Sequence, residues 1–178
     1  MIDTLKIQVF EYLVFRLLEW YNESSSGKGN DLSVLKVLKL TFFISAVGTN
    51  RDSDNTLLDN VFDNYVAMPY GHVESDIYTF IKSNKLVNTS INNRETNILD
   101  SMLIGDFDSS LRKQIDNSVS LLKSINYDLI NLSSFELVDL SHTWYSWQKY
   151  YSIAKECQKN SEPIPTDVIK NEDKIYQL

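Results

Sequence analysis

The sequence predicts an all-α fold: one compact multi-helix domain over residues 1–178, with at most one short β-hairpin. Three observations carry this. Apolar residues recur at three- and four-residue spacing in segment after segment, which is the period of one helix face. Alternation at period two is almost missing, and the least helical stretch, near 85–93, is where a hairpin would fit. No internal repeat, low-complexity tract or long linker divides the chain.

The first helix places Ile2, Leu5, Val9, Leu13, Val14, Leu17 and Leu18 on one face. It runs into the polar loop "NESSSGKGND". Asn30 or Asp31 is expected to cap a second helix, because a short polar side chain can accept from its free N–H groups. That helix, "LSVLKVLKLTFFISAVG", is apolar nearly all round, so it belongs in the centre of the molecule. Gly48 is placed to end it. Leu57, Leu58, Val61, Phe62, Tyr65 and Val66 predict a third helix, followed by a corner at Pro69 and Gly71. "ESDIYTFIKS" reads as a short helix with Glu74 and Asp76 at its N-terminus, where a helix dipole favours negative charge. "NKLVNTSINN" is a hairpin or irregular loop, and "RETNILDSMLIG" another short helix. Asp108 or Ser109 caps a helix carrying Leu111, Ile115, Val119, Leu122 and Ile125. Ser133 and Glu136 have the spacing of a capping box. They open a long helix that holds Leu137, Leu140, Trp144, Trp147, Tyr151 and Ala154. "KNSEPIPTD" ends it, and Thr166 is expected to cap a last short helix.

The net charge of −7 argues against general nucleic-acid binding, which needs clustered Lys and Arg. Cys157 is the single cysteine, so an internal disulfide or a cysteine-ligated zinc site is not expected. We read it as a small buried hydrophobe. Asp3, Lys6 and Glu11 interrupt the N-terminal apolar pattern, unlike a signal peptide. The most apolar stretch, Leu32 to Val47, contains Lys36 and Lys39 and is too short to span a bilayer. The expectation is a cytoplasmic protein with no membrane partner.

Reactive constellations are sparse. His72 and His142 are the only histidines, and no G-x-S-x-G signature accompanies them. His142 invites a general-base or metal-ligand reading, yet a partly buried histidine bonding between helices explains it better. "GKGN" lacks the remaining residues of a phosphate loop. Asp52, Asp54 and Asp63 fall near calcium-loop spacing, but without the central Gly and closing Glu they read as a solvated acidic face. Neither a cofactor nor catalytic residues are expected. The late Trp and Tyr residues read as core, with one or two able to reach a partner.

Three stretches carry a resemblance. "LKLTFFISAVG" is similar to the early "K-L-x-Y/F" helix of the Panacea domain, also known as the SocA-like or phage-associated GepA-like domain. "AMPYGHVESDIYTFI" resembles its "A-x-x-Y-G-P-V-x-x-x-[IV]-Y" stretch. "LVDLSHTWYSWQKY" resembles its "L-x-x-[LT]-[ST]-H-x-x-x-P-W" motif, and "EPIPTDVIKNE" its closing "I-P-x-x-x-I" element. The matches run in order from about residue 30 to 172. His72 stands where the family has Pro, Ser146 where it has the Pro before Trp147, and the stretch from 95 to 130 is longer.

The resemblance implies an antitoxin-like protein, not an enzyme, that neutralises a cognate protein toxin by direct contact. The acidic charge fits a basic partner. Two alternatives stay open: a phage-derived proteolytic adaptor, delivering a partner to a protease, or interaction module without a toxin of its own, and, from a different class, a cryptic hydrolase using His72 or His142. The motif residues are Tyr70, Gly71, His72, His142, Trp144 and Trp147. Gly71 suits a backbone angle that branched residues resist, and Tyr70 can bury its ring and bond through its hydroxyl. Tyr70, His72 and Trp144 are the candidate partner anchors, and Trp147 is expected to be structural.

Overall fold

A computed structural model describes residues 2–27 and 29–178. Met1, the side chain of Ile2, and Lys28 at the centre of "GKGN" lie outside the described residues. Helix α1 (Ile2–Ser24) buries Val9, Leu13, Val14 and Leu17, as its spacing predicts, and also Phe10 and Trp20, while Leu5 of the expected face is exposed. Helix α2 (Val34–Ala46) runs through the centre, and every residue from Lys36 to Ala46 is buried. Its cap is Ser33, whose hydroxyl accepts from Lys36 N. Asn30 and Asp31 are engaged elsewhere. Asn30 Oδ1 accepts from Leu32 N at 3.1 Å and Thr96 N at 3.0 Å, while Asp31 pairs with Lys36 at 2.7 Å. Gly48, at φ +72°, follows the helix end as expected.

The third helix is a single turn, α3 (Leu57–Asn60), and does not reach Val66. Tyr65 and Val66 instead open strand β1 (Tyr65–Met68), which pairs antiparallel with β2 (Gly71–Glu74) in the register Val66↔Val73 and Ala67↔His72. Apolar residues at 57, 58, 61, 62, 65 and 66 fit a helix, but Tyr65 and Ala67 also fit one face of a strand. Cross-strand partners supplied by the rest of the chain decide the conflict. Glu74 then caps α4 (Ser75–Lys82) by accepting from Ile77 N.

A second hairpin, β3 (Thr89–Ile91) with β4 (Thr96–Ile98), begins in the stretch expected to form one. Its second strand occupies the segment expected to be a helix. Glu11, buried in α1, explains this: its Oε1 accepts from Val87, Asn88 and Thr89 N at 2.8, 2.7 and 3.0 Å, fixing the first strand beside α1. Two hairpins thus correct the all-α expectation: the chain is 55% helical with 9% strand.

Asp108 caps α5 (Ser109–Ile125), accepting from Ser110 and Leu111 N, and a short 3-10 turn follows (Tyr127–Asn131). The Ser133–Glu136 capping box opens α6 (Ser134–His142). The long late helix is two helices, because the chain leaves helical geometry at Trp144 before α7 (Tyr145–Glu156). Trp144 is fully buried and donates from Nε1 to Ile175 O at 2.9 Å, a position outside a continuous helix face. Glu172 caps the new helix start, accepting from Ser146 N at 2.9 Å. The two-residue strand β5 (Glu162–Pro163) adds to β1, giving the sheet order β2-β1-β5. Helix α8 (Thr166–Asn171) closes the fold, with Pro165 rather than Thr166 at its cap. Cys157 caps the C-terminus of α7, past its last buried residue Ala154, and is exposed rather than in the core. Among the described residues no helix is long and apolar enough to cross a membrane.

Candidate functional site

The β1–β2 turn, Pro69 to Gly71, is held from both sides. Trp147 Nε1 donates to Met68 O at 2.8 Å, and His142 Nε2 lies 3.2 Å from Pro69 O. A carbonyl only accepts, so that His142 nitrogen carries the proton. The His142 ring stacks on Trp147 at 3.7 Å, and Trp147 on Tyr151 at 4.9 Å. Burial lowers the His142 pKa, opposed by the Pro69 carbonyl. Two motif segments distant in sequence therefore form one corner.

Gly71 sits at φ +95°. A Cβ there would overlap Ser141 Oγ and come within 2.9 Å of Ser141 Cβ and 3.1 Å of Lys39 Cε. The glycine is required both for the turn and for the close approach of α6. Tyr70 projects outward and is 58% exposed, so its ring is not buried as its motif position allowed. It meets Phe135, 65% exposed, edge-on at 6.3 Å between ring centres.

His72 points the other way, into the core. It has no accessible surface and stacks on Phe42 at 3.7 Å with only 9° between the rings. Its backbone N donates to Ser141 Oγ at 3.1 Å, its Nδ1 is 2.8 Å from the same hydroxyl, and its Nε2 is 2.7 Å from Ser146 Oγ. Having accepted from the backbone, Ser141 can donate to Nδ1, which leaves Nε2–H to donate to Ser146. The neutral ring is thereby satisfied at both nitrogens. Burial holds its pKa well below the usual histidine value, and Lys39 adds repulsion. Lys39 is fully buried without a carboxylate partner among the described residues, and its Nζ donates to His72 O. Burial takes its pKa down to about 7.

These distances include a serine and a histidine at hydrogen-bond reach, Ser146 and His72, as a nucleophile and base require. Both are fully buried, and the far ring nitrogen meets a hydroxyl rather than a carboxylate. A substrate carbonyl has no path to that serine in this arrangement. The pair welds β2 to α6 and α7. His72 and Trp144 are likewise unable to serve as partner anchors, since neither offers surface; Tyr70 alone of the three remains available.

Among the described residues, one carboxylate group has cation-site spacing: Asp63, Glu74 and Asp76. Lys6 Nζ fills its centre, at 3.0, 2.6 and 2.6 Å. Burial opposes the Lys6 charge, but the hydrogen bonds it donates to Asp76, Glu74 and Asp63 outweigh it and hold the pKa above the usual range. Asp63 therefore serves an internal ion-pair cluster rather than a calcium loop.

Sequence reasoning missed Ser141, Ser146 and Lys39 as one network, and Phe135 as the partner of Tyr70. Lys39 carried a signal: a lysine in a helix that is apolar all round has to be buried, and a buried amine needs an acceptor. Comparison of the chain with protein-family models, with curated proteins and with solved structures returns no match.

Proposed function

We propose that this chain is an antitoxin-like binding protein that neutralises a cognate protein toxin by direct, stoichiometric contact. One observation carries the reading: the exposed Tyr70–Phe135 pair stands on a corner whose backbone is fixed by Trp147, His142 and Ser141. A rigid aromatic anchor loses little conformational entropy on binding, which is why Tyr and Trp concentrate in interface hot spots. The ordered motif resemblance supplies the toxin as partner, and the net charge of −7 favours a basic one. Delivery of that partner to a protease is the second way the same contact would act.

The test is co-expression with the product of the adjacent short reading frame, then calorimetry on the purified pair. Tyr70→Ala and Phe135→Ala are each expected to weaken binding by about 2 kcal/mol while leaving the circular dichroism spectrum unchanged. Rescue from the toxin without any association of the pair would overturn sequestration.

A further inference from the structure

A second surface, sharing no residue with the corner, has a different chemistry. The first turns of α1 and the 85–106 stretch enclose a groove of about 510 Å³, within the ~300–1,000 Å³ range of binding clefts. Ile7 forms its buried apolar base, and Val87 and Leu103 are rim residues 68% and 54% exposed. Asp3 and Asp106 also line it, and neither belongs to an ion pair among the described residues. From residue 95 to 108 the chain carries Glu95, Asp100, Asp106 and Asp108 with no Lys or Arg. Among the described residues Lys85 is the one basic lining residue.

The backbone beside the groove narrows what can bind. An added strand needs free N–H groups along an edge. Here the N–H groups of Val87, Asn88 and Thr89 are already spent on Glu11. An occupant must therefore bond its own backbone and recognise the groove through side chains. A helix does this, with large apolar residues on one face and cations beside them to meet Asp3 and Asp106. We propose that this groove docks a cationic amphipathic helix of a partner protein.

The probe is a synthetic Leu/Lys amphipathic peptide of about four helical turns, titrated into the full chain by calorimetry. Its Leu/Glu counterpart and an alternating Val/Lys peptide are the ligand controls. Leu103→Lys and Val87→Lys test the groove, Tyr70→Ala controls for the corner, and circular dichroism checks each fold. The Leu/Lys peptide is expected to bind the parent and Tyr70→Ala equally, and each groove variant about tenfold more weakly. The Leu/Glu peptide is also expected to bind at least about tenfold more weakly. The proposal is overturned by absence of Leu/Lys binding, by equal binding to the groove variants, or by equal binding of Leu/Glu. Tighter binding of the Val/Lys peptide would overturn the helical mode. Self-association of the parent that Leu103→Lys abolishes would reassign the groove to a second copy of this chain. Loss of toxin binding in Tyr70→Ala with peptide binding intact separates this site from the corner.

Discussion

Lys39 and His72 are two bases held where their charged forms are disfavoured. For Lys39 the unfolded chain binds a proton up to about pH 10.5 and the folded chain only up to about pH 7. Between those values the unfolded state holds more protons, so stability rises with pH across the window. Urea midpoints at several pH values from about 7 to 9 are expected to climb for the parent relative to Lys39→Met, and parallel curves would contradict a neutral buried amine. His72 acts lower on the scale. Its pKa is depressed by burial, so its contribution is complete above about pH 6.5 and is lost as pH falls below it. The parent should therefore lose stability below that pH more steeply than His72→Gln. Gly71→Ala combines a left-handed backbone with an overlap on Ser141 and is expected to cost about 3 kcal/mol by chemical denaturation. Glu11→Ala leaves three backbone N–H groups and the Asn88 and Thr89 side chains short of an acceptor. It should cost about 3 kcal/mol or more.

Elements here are set by their ends as much as by their faces. The Ser133–Glu136 box opens α6 with reciprocal bonds, Glu136 Oε2 accepting from Ser133 N at 2.7 Å. Ser133→Ala is expected to lower stability by about 1 kcal/mol, read as a fall in the melting temperature. The α6–α7 break depends on Trp144, which packs against Phe42, Phe43 and Tyr176. Trp144→Ala should cost about 4 kcal/mol through the cavity it leaves, which distinguishes a core tryptophan from an interface one: affinity of whatever remains folded for the proposed partner would be unchanged. Helices with caps written locally, such as α5 and α6, were legible in the sequence. Of the strands, only Thr89–Ile91 falls in the stretch expected to form a hairpin. Tyr65–Met68 and Thr96–Ile98 are only four and three residues long, and neither carries a period strong enough to outvote a helical reading. Each pairs with a neighbouring strand, Gly71–Glu74 and Thr89–Ile91, but the groups that hold those hairpins in place, Glu162–Pro163 beside β1 and Glu11 beside β3, lie far from them along the chain.

For the whole molecule, a circular dichroism spectrum dominated by helix is expected, with a minor strand component from the two sheets. The sequence by itself determined the helical majority, the central place of α2 and the helix starts at Asp108 and Ser133, because periodicity and capping are interactions among near neighbours. It also marked Gly71, His142 and Trp147 as positions of consequence. Only the tertiary structure decided which way each points. Tyr70 and His72 are two residues apart on either side of one glycine, yet one faces solvent and the other fills the core. The structure also turned Glu11 from an interruption in an apolar stripe into the acceptor that fixes a hairpin, and moved Cys157 from the expected interior to the surface. The physical reason is common to all of these. Burial and the satisfaction of a polar group depend on partners that folding brings together across long sequence separations, and a local pattern records the need for such a partner without recording its identity.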